Sequence, residues 1–444
     1  MLSLTLVGFM TGIAGRGFAQ GFIRDTEIEN TIRVYSAPIF EAADLDVRVV
    51  QVTLVNDKRL NAFVAGGQKI FLNTGLLMQA DHAGQVMGVI AHEAGHITGG
   101  HLARFREGLE NAETLSLVSL VLGIPAAILA GRGDVAAASS ALGQHLATRS
   151  LLQYTRSMEQ SADQAAVNFL DAAGVSSRGL EEFMRKLERQ DVIYSDSQNS
   201  YTRTHPLSKD RVAFVQNHLA ISRFADAKLP PEFEVMHERM RAKLRGFLLP
   251  PEEVANIYRE DNNSVYARYA RSISLMKQHR VDEAIALARQ LADEHPGDAF
   301  FHELMGDIYK DAGRLRDAIA PYEKALEILP WAALIHRALA QVQIELDEPE
   351  LYRKAIEHLK EALRYEPQDT LSWRLQATAY HRLGDISNAT LAQAELSIRT
   401  GKAKAAQRQA VKAQELLPQG SPGWLRAQDI EFQARKLENK QNNN

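Results

Sequence analysis

The stretch VIAHEAGHITGGHLAR, residues 89–104, carries two histidines four positions apart, His92 and His96, with Glu93 directly after the first. On an α-helix, residues i and i+4 lie on one face, so both imidazoles can reach the same ion. Glu93 lies about 100° further round such a helix, where its carboxylate can take a proton from a metal-bound water. The alternative is a helix that merely contains these residues, and the rest of the chain has to decide.

A metal site of this kind needs a third ligand, and two places in the sequence offer one. A histidine six residues after His96 would stand at position 102, which is a leucine, and His101 is one place early. We therefore predict that His101 is a helix-end histidine. The stretch SMEQSAD offers Glu159 as the ligand, with Asp163 four positions further on. From that position Asp163 can orient a ligand histidine by accepting its other N–H.

An exposed acidic helix face is the alternative reading of Glu159 and Asp163. Apolar residues surround the pair, among them Met158, Ala162 and Ala166. They indicate a partly buried helix, in which two carboxylates without partners would be costly. The sequence therefore favours Glu159 as a ligand and Asp163 as its neighbour in the site.

Composition limits the classes of function. A chain of 444 residues is too long for one compact core, so two or three domains are expected. The net charge is only −4 and no long basic run occurs, which disfavours a nucleic-acid partner. Cysteine is absent, which excludes disulfides, thiolate zinc sites and a cysteine nucleophile. Any metal must therefore be held by histidine, aspartate or glutamate.

Two apolar segments bear on location. Residues Leu2–Ala14 form an apolar run followed by small residues at the places of a cleavage site, so 1–20 is predicted to be a signal peptide, although a positive leader is missing. A buried N-terminal helix is the alternative. The run Thr114–Gly131 is at the lower length limit of a membrane span and is interrupted by Pro125. We predict a helical hairpin packed on the domain, with peripheral membrane contact as the alternative.

The C-terminal part repeats itself. The motifs DEAIA, RDAIA, RKAIE and SNATL place alanines at 284, 318, 355 and 389, which gives spacings of 34, 37 and 34 residues. Small residues also stand twelve positions earlier, across a short insertion in the third unit. Such a period predicts tetratricopeptide repeats, in which a small residue allows the two helices of each unit to cross closely. The segment KAKAAQRQAVKAQELLP then resembles a capping helix.

The four motifs together resemble a known family. HExxH is followed by a distant ExxxD, with NAFVAGGQKIFLNTGLL upstream and THPLSKDR downstream. This order resembles the M48 family of zinc metallopeptidases, and with the appended repeats the chain looks like the soluble periplasmic branch of that family. The resemblance implies a mainly α protein: a zincin-like α+β metallopeptidase domain with a small sheet, followed by an α-helical solenoid of tetratricopeptide repeats.

The resemblance also implies roles for individual residues. One zinc ion would be held by His92, His96 and Glu159, with Glu93 as the general base. The strand around Asn61–Val64 would be an edge that accepts the backbone of a substrate, since an extended peptide can add to a sheet as a further strand.

The motif THPLSKDR contains two further candidates for catalysis, His205 and Arg211. In one interpretation either side chain stabilises the tetrahedral oxyanion, as positioned donors do in other hydrolases. In another, His205 binds the zinc as a fourth ligand and silences the enzyme. A structural histidine near a turn is the remaining alternative.

The expected organisation follows from these observations. We divide the chain into a signal peptide (1–20), a metallopeptidase domain (21–245), a linker (246–263) and a repeat domain with its capping helix (264–444). The leading interpretation is a periplasmic zinc endopeptidase that degrades misfolded or stalled outer-membrane proteins, with the repeats docking substrate or assembly machinery. The alternative is a chaperone or adaptor for outer-membrane protein assembly whose zinc site is largely silent.

Overall fold

The structure is a computed structural model that describes residues 21–47, 49–102, 144–193 and 205–442. The predicted signal peptide (1–20) and the apolar run Thr114–Gly131 lie outside these residues. Within the described ranges, no helix combines the length and the apolar character that crossing a bilayer requires.

The first part of the chain mixes short strands with helices, as predicted. In chain order its described elements are β1 (Phe22–Ile23), α1 (Thr26–Ala42), β2 (Gln51–Val55), β3 (Ala62–Ala65), β4 (Lys69–Asn73), α2 (Thr74–Gln79), α3 (Ala83–Thr98), α4 (Gln144–Ala172), α5 (Arg178–Ile193), α6 (Lys209–Ile221) and α7 (Pro231–Leu248).

The four strands form one sheet in the order β1-β2-β4-β3, so β3 is an edge strand. It runs antiparallel to β4, and the N–H of Asn73 donates to the carbonyl of Asn61 at 3.0 Å. Hydrogen-bonded pairs alternate along an antiparallel ladder. The backbone groups of Ala62 and Val64 are therefore directed away from β4, toward the open side of the sheet.

Helix α3, which carries the HExxH motif, lies at the centre of this part. Every residue from Ala83 to Gly95 is buried, and the helix packs on α4 and α5. At Gly95 the contact with α4 is so close that a Cβ would lie 2.7 Å from the carbonyl oxygen of Ala162. Ala162 lies between Glu159 and Asp163 in sequence, so this approach brings the two carboxylates to the histidines of α3.

The second part is an array of helix pairs. A short helix, α8 (Pro251–Ile257), precedes α9 (Val265–Lys277), α10 (Val281–Glu294), α11 (Ala299–Asp311), α12 (Leu315–Ile328), α13 (Ala333–Glu345), α14 (Pro349–Tyr365), α15 (Thr370–Arg382), α16 (Ile386–Arg399), α17 (Ala403–Leu416) and α18 (Pro422–Asn442).

The helical array confirms the predicted solenoid. Each helix from α9 onward packs on the next one in the chain, and the four repeat alanines at 284, 318, 355 and 389 are buried. At Gly306 a Cβ would lie 2.7 Å from the Tyr322 ring of the partner helix, which explains the small residue there. The helix predicted as a cap, α17, is followed by α18, which packs against the buried alanines of α17.

The two parts share a buried charged interface. The predicted division at 245 falls within α7, and the predicted linker 246–263 contains α8. Helix α7 packs both on α2 of the first part and on α9 of the second. Its side chains meet those of α1 and the first repeats in what we call the interface cluster: Asp25, Glu27, Arg239, Lys243, Tyr269, Asp298 and Glu303.

Candidate metal centre

Four side chains from three places in the chain converge on one point. His92 and His96 come from α3, Glu159 from α4, and His205 from the segment before α6. One ligand atom from each of them lies within 4.8 Å of the other three. We call these four residues the ligand group. The structure thus brings Glu159 to the paired histidines, as the sequence predicts, and adds His205 to them.

The distances within the ligand group are short and consistent. The Nε2 atoms of His92 and His96 are 3.1 Å apart, and each lies 3.3 Å from an oxygen of Glu159. Nδ1 of His205 is 3.2 Å from Glu159 and 3.3 Å from Nε2 of His92. Imidazole nitrogens and a carboxylate oxygen in such a cluster are the donors that zinc takes in catalytic sites, so the residues present fit a divalent metal.

Two further side chains, Asp163 and Arg211, contact the ligand group on the side away from its ligand atoms. Oδ1 of Asp163 lies 2.9 Å from Nδ1 of His92, the nitrogen that does not face the group. The guanidinium of Arg211 donates to both oxygens of Asp163, at 2.6 and 2.9 Å, and lies 2.9 Å from Glu159. The orienting role of Asp163 stays a prediction, but its position is the one that role requires.

Arg211 is placed by the start of α6. The Ser208 hydroxyl caps this helix by accepting from the N–H of Arg211 at 3.3 Å, two residues after Pro206. The guanidinium also donates to the carbonyl of Pro206 and is 3% exposed. The guanidinium is thus already bound by two carboxylates, Glu159 and Asp163, and it holds them in position. The oxyanion role of Arg211 stays an untested prediction.

The pKa values of the side chains in the site are shifted in different directions. Burial by itself would raise the pKa of Glu159, but His205 and Arg211 outweigh it and hold that pKa well below its ordinary value. Burial would lower the pKa of His92, yet Asp163 and Glu159 raise it to about 9. For His96 burial prevails and lowers the pKa to about 3. The two histidines of one motif thus differ because only His92 has a carboxylate on each side.

Glu93 stands beside the ligand group, as the helical spacing predicts. Its side chain is fully buried, and in the part of the chain that the structure describes neither carboxylate oxygen has a hydrogen-bond partner. The nearest ion-pair contact is Nε2 of His205 at 3.4 Å. Burial raises the pKa of Glu93. A buried carboxylate without hydrogen bonds is costly unless it serves a ligand, and this orphaned group is a second observation that fits a metal-bound water here.

His205 joins the ligand group to the sheet edge. Its Nε2 donates to the carbonyl of Ala62 at 3.1 Å, while Nδ1 faces Glu159. The imidazole of His205 is therefore hydrogen-bonded to a backbone carbonyl on the open side of β3, where a substrate strand would otherwise pair. Neither the turn motif nor the strand pattern could have indicated this contact, because Ala62 and His205 are far apart in sequence.

His101 lies closer to the site than the sequence indicates. It follows the end of α3, as predicted, but its ring is buried and its Nδ1 lies 3.0 Å from Nδ1 of His96. It contributes no atom to the ligand group. The available signal was the pair Gly99–Gly100 before it, which permits a sharp turn back toward the helix.

Comparison with known proteins adds two domain matches and several relatives. Residues 24–219 match Peptidase family M48, and residues 269–333 and 339–403 match the Tetratricopeptide repeat. The chain is 26% identical over 359 residues to the Beta-barrel assembly-enhancing protease of Yersinia pestis, covering 77% of this chain and 70% of the relative.

Two further relatives match different lengths of the chain. The Beta-barrel assembly-enhancing protease of Escherichia coli (strain K12) is 25% identical over 349 residues, covering 77% of this chain and 69% of the relative. The Mitochondrial metalloendopeptidase OMA1 of Arabidopsis thaliana is 30% identical over 161 residues, covering 36% of this chain and 30% of the relative.

Proposed function

We propose that this chain, a metallopeptidase with an M48 peptidase domain followed by tetratricopeptide repeats, is a zinc-dependent endopeptidase that degrades misfolded or stalled outer-membrane proteins in the periplasm. The observation that carries the proposal is the convergence of His92, His96 and Glu159 beside a buried Glu93 whose carboxylate has no hydrogen bond within the described residues. The name of the relatives, Beta-barrel assembly-enhancing protease, supports the class of substrate.

Zinc is the metal that the donor set fits best. His92, His96 and Glu159 would hold it, in the combination of two imidazoles and one carboxylate that is known from catalytic zinc sites. A bound zinc ion lowers the pKa of its water to about 7 and polarises a carbonyl.

Glu93 would act as the general base. It takes a proton from the attacking water and passes it to the leaving amine, which avoids the expulsion of an unprotonated amine. Its pKa is raised by burial, so the carboxyl group can hold the proton between these two steps. Asp163 and Arg211 serve the reaction by holding His92 and Glu159 in place.

The open side of β3 would bind the substrate. Ala62 and Val64 direct their N–H and C=O groups outward, so an extended chain can pair with them as an additional strand. Backbone pairing depends little on side chains, which suits an enzyme that acts on unfolded proteins. The repeats would dock substrate or assembly machinery, because stacked helix pairs present an extended surface.

His205 would hold the site closed. Its Nδ1 faces the other ligand atoms, and its Nε2 donates to the carbonyl of Ala62. This placement supports the role of a fourth ligand over that of an oxyanion stabiliser. Since a substrate strand needs the same carbonyl, His205 must leave Ala62 before the edge can be used.

Degradation of casein by the wild type and by Glu93→Gln tests the proposal. The variant should lose about 100-fold to 10,000-fold of the activity while it keeps its zinc, because only the proton transfer is removed. Glu350→Gln is the matched control, since its side chain is 83% exposed. Equal cleavage by wild type and Glu93→Gln, or none by either, would contradict the protease and favour a chaperone or adaptor.

A further inference from the structure

We propose that His101 is a positioning residue for His96, a role that rests on the proposed zinc site and deepens it. Nδ1 of His101 accepts the Nδ1–H of His96 and thereby fixes the ring orientation and the tautomer in which Nε2 of His96 faces the ligand group. His101 itself binds neither metal nor substrate.

The contact between the two rings is short and buried. The two Nδ1 atoms are 3.0 Å apart, and the rings meet edge to face with centroids 5.0 Å apart. His101 is 4% exposed, although it follows the end of a helix, where histidines commonly meet solvent. The side chain therefore turns inward, onto the face of His96 that is opposite the metal centre.

The chain is shaped to allow this contact. Helix α3 ends at Thr98, and Gly100 adopts a φ of +60°, a left-handed conformation that only glycine takes without strain. At Gly99 a Cβ would lie 2.4 Å from Nε2 of His101. Both glycines are thus needed to fold the chain back and to leave space for the ring.

The tautomers follow from the placement of the nitrogens. Nε2 of His96 lies 3.3 Å from Glu159 and 3.1 Å from Nε2 of His92, so it must be unprotonated when the group holds a cation. The proton of a neutral His96 then resides on Nδ1. Its partner atom, Nδ1 of His101, must be the acceptor, which leaves the proton of His101 on Nε2.

The two ligand histidines are consequently supported in different ways. His92 directs its Nδ1 at a carboxylate, Asp163, at 2.9 Å, whereas His96 directs its Nδ1 at a second imidazole. A carboxylate makes the imidazole that it holds more basic than a neutral acceptor does. His96 is therefore the weaker of the two ligands, and its alignment depends on the acceptor that His101 supplies.

Two variants of equal size test this role. His101→Leu removes the acceptor, whereas His101→Asn keeps an oxygen near the place of Nδ1. Zinc affinity, measured by competition with a chromogenic chelator, should fall by about 10-fold to 100-fold in His101→Leu and recover largely in His101→Asn. Thermal unfolding of both metal-free variants controls for packing, which loses the same ring in each. Equal zinc affinity in wild type and His101→Leu, or equal losses in both variants, would contradict the proposal.

The tautomers can be read in the wild-type protein without any substitution. Long-range ¹H–¹⁵N correlation spectra of the zinc-loaded protein should show His96 protonated on Nδ1 and His101 protonated on Nε2. A proton on Nδ1 of His101 would overturn the inference even if neither variant folds. These readouts do not depend on proteolysis: zinc binding that responds to His101 in a protein inactive on casein would refute the proposed function alone.

Discussion

The metal centre and the interface cluster are both buried groups of charged side chains, but they compensate their carboxylates differently. In the interface cluster the cations belong to the chain: Nζ of Lys243 lies 2.8 Å from Asp25 and 3.4 Å from Glu27. Arg239 pairs with Glu27 and Asp298, and the Tyr269 hydroxyl donates to Glu27 at 2.6 Å. Such a cluster pairs its carboxylates with cations of the chain itself and joins two parts of the molecule.

In the metal centre the positively charged side chain, Arg211, contacts the carboxylates from one side. Arg211 contacts Glu159 and Asp163 from behind, while the other face of Glu159 meets three imidazoles. Imidazoles can offer lone pairs but no fixed charge when they are neutral. The comparison separates two environments of a buried carboxylate: Glu27 pairs with the ammonium of Lys243, whereas Glu159 faces imidazole nitrogens, the surroundings that suit a metal ligand.

Replacing one glutamate in each region separates the two uses, with the largest expected effect at the metal centre. Glu159→Gln removes the anionic ligand at constant shape, so zinc binding and casein cleavage should both be lost. The counterpart Glu303→Gln, in the interface cluster, should keep its full zinc content. Metal analysis after gel filtration measures this directly, and a zinc-bound Glu159→Gln or a zinc-free Glu303→Gln would break the distinction.

Lys243→Met should have the opposite effect to Glu159→Gln: it should lower stability and leave zinc binding unchanged. Removing the ammonium takes an ion-pair partner from half-buried Asp25 and leaves buried Glu27 with Arg239 and Tyr269, and breaking a buried pair in this way typically costs about 3–5 kcal/mol of unfolding free energy. Zinc affinity should be unchanged, since Lys243 has no contact with the ligand group. Urea denaturation of metal-free protein measures the loss, with Lys412→Met, an exposed lysine paired along its own helix, as the control. A loss below about 1 kcal/mol would show that the cluster does not hold the joint.

The sequence predicted those features that local spacing encodes. The i, i+4 histidines and the 34-residue period each depend on a regular backbone. The edge strand around Asn61–Val64 was implied by the family resemblance, which the matches to M48 and tetratricopeptide repeats confirm. Glu159 was found through the type and spacing of its neighbours, although its approach to α3 depends on a helix contact at Gly95 that no local pattern describes.

The remainder could not be predicted because it depends on contacts between distant segments. Lys243 and Glu303 stand on helices where a charged residue is ordinarily read as solvent-exposed, and only the packing of α7 on the repeats buries them. The contact of His205 with Ala62 likewise joins a turn to a strand. His101 follows the end of the helix and lies outside the ligand group, as predicted, but its contact with His96 depends on the direction of a single turn at Gly100, which no local spacing describes.

His205→Ala tests whether a side chain of the chain itself fills the open side of the metal centre, as Lys243 does in the interface cluster. If His205 occupies a ligand position and the carbonyl of Ala62, its removal should raise basal casein cleavage several-fold, because water and substrate gain access together. His205→Asn serves as a comparison, since its amide can still donate to Ala62. An inactive His205→Ala protein with normal zinc content would instead support the oxyanion role.

The last prediction concerns a pH dependence that Glu303 brings to the interface cluster. Burial raises the pKa of Glu303 from 4.5 to about 8, against the lowering influence of Lys243. Between these values the folded chain keeps a proton that the unfolded chain releases, so the unfolding free energy contributed by this group falls as pH rises from about 4.5 to about 8.

Glu303→Gln cannot ionise in either state and should lose that dependence. Denaturation of wild type and variant near pH 5 and near pH 8 should therefore show the variant gaining stability relative to wild type at the higher pH. Glu350→Gln, the exposed counterpart, should show no such change. A difference that is flat with pH, or that favours the wild type at pH 8, would mean that Lys243 keeps Glu303 ionised, and the interface would then hold its charges as full ion pairs.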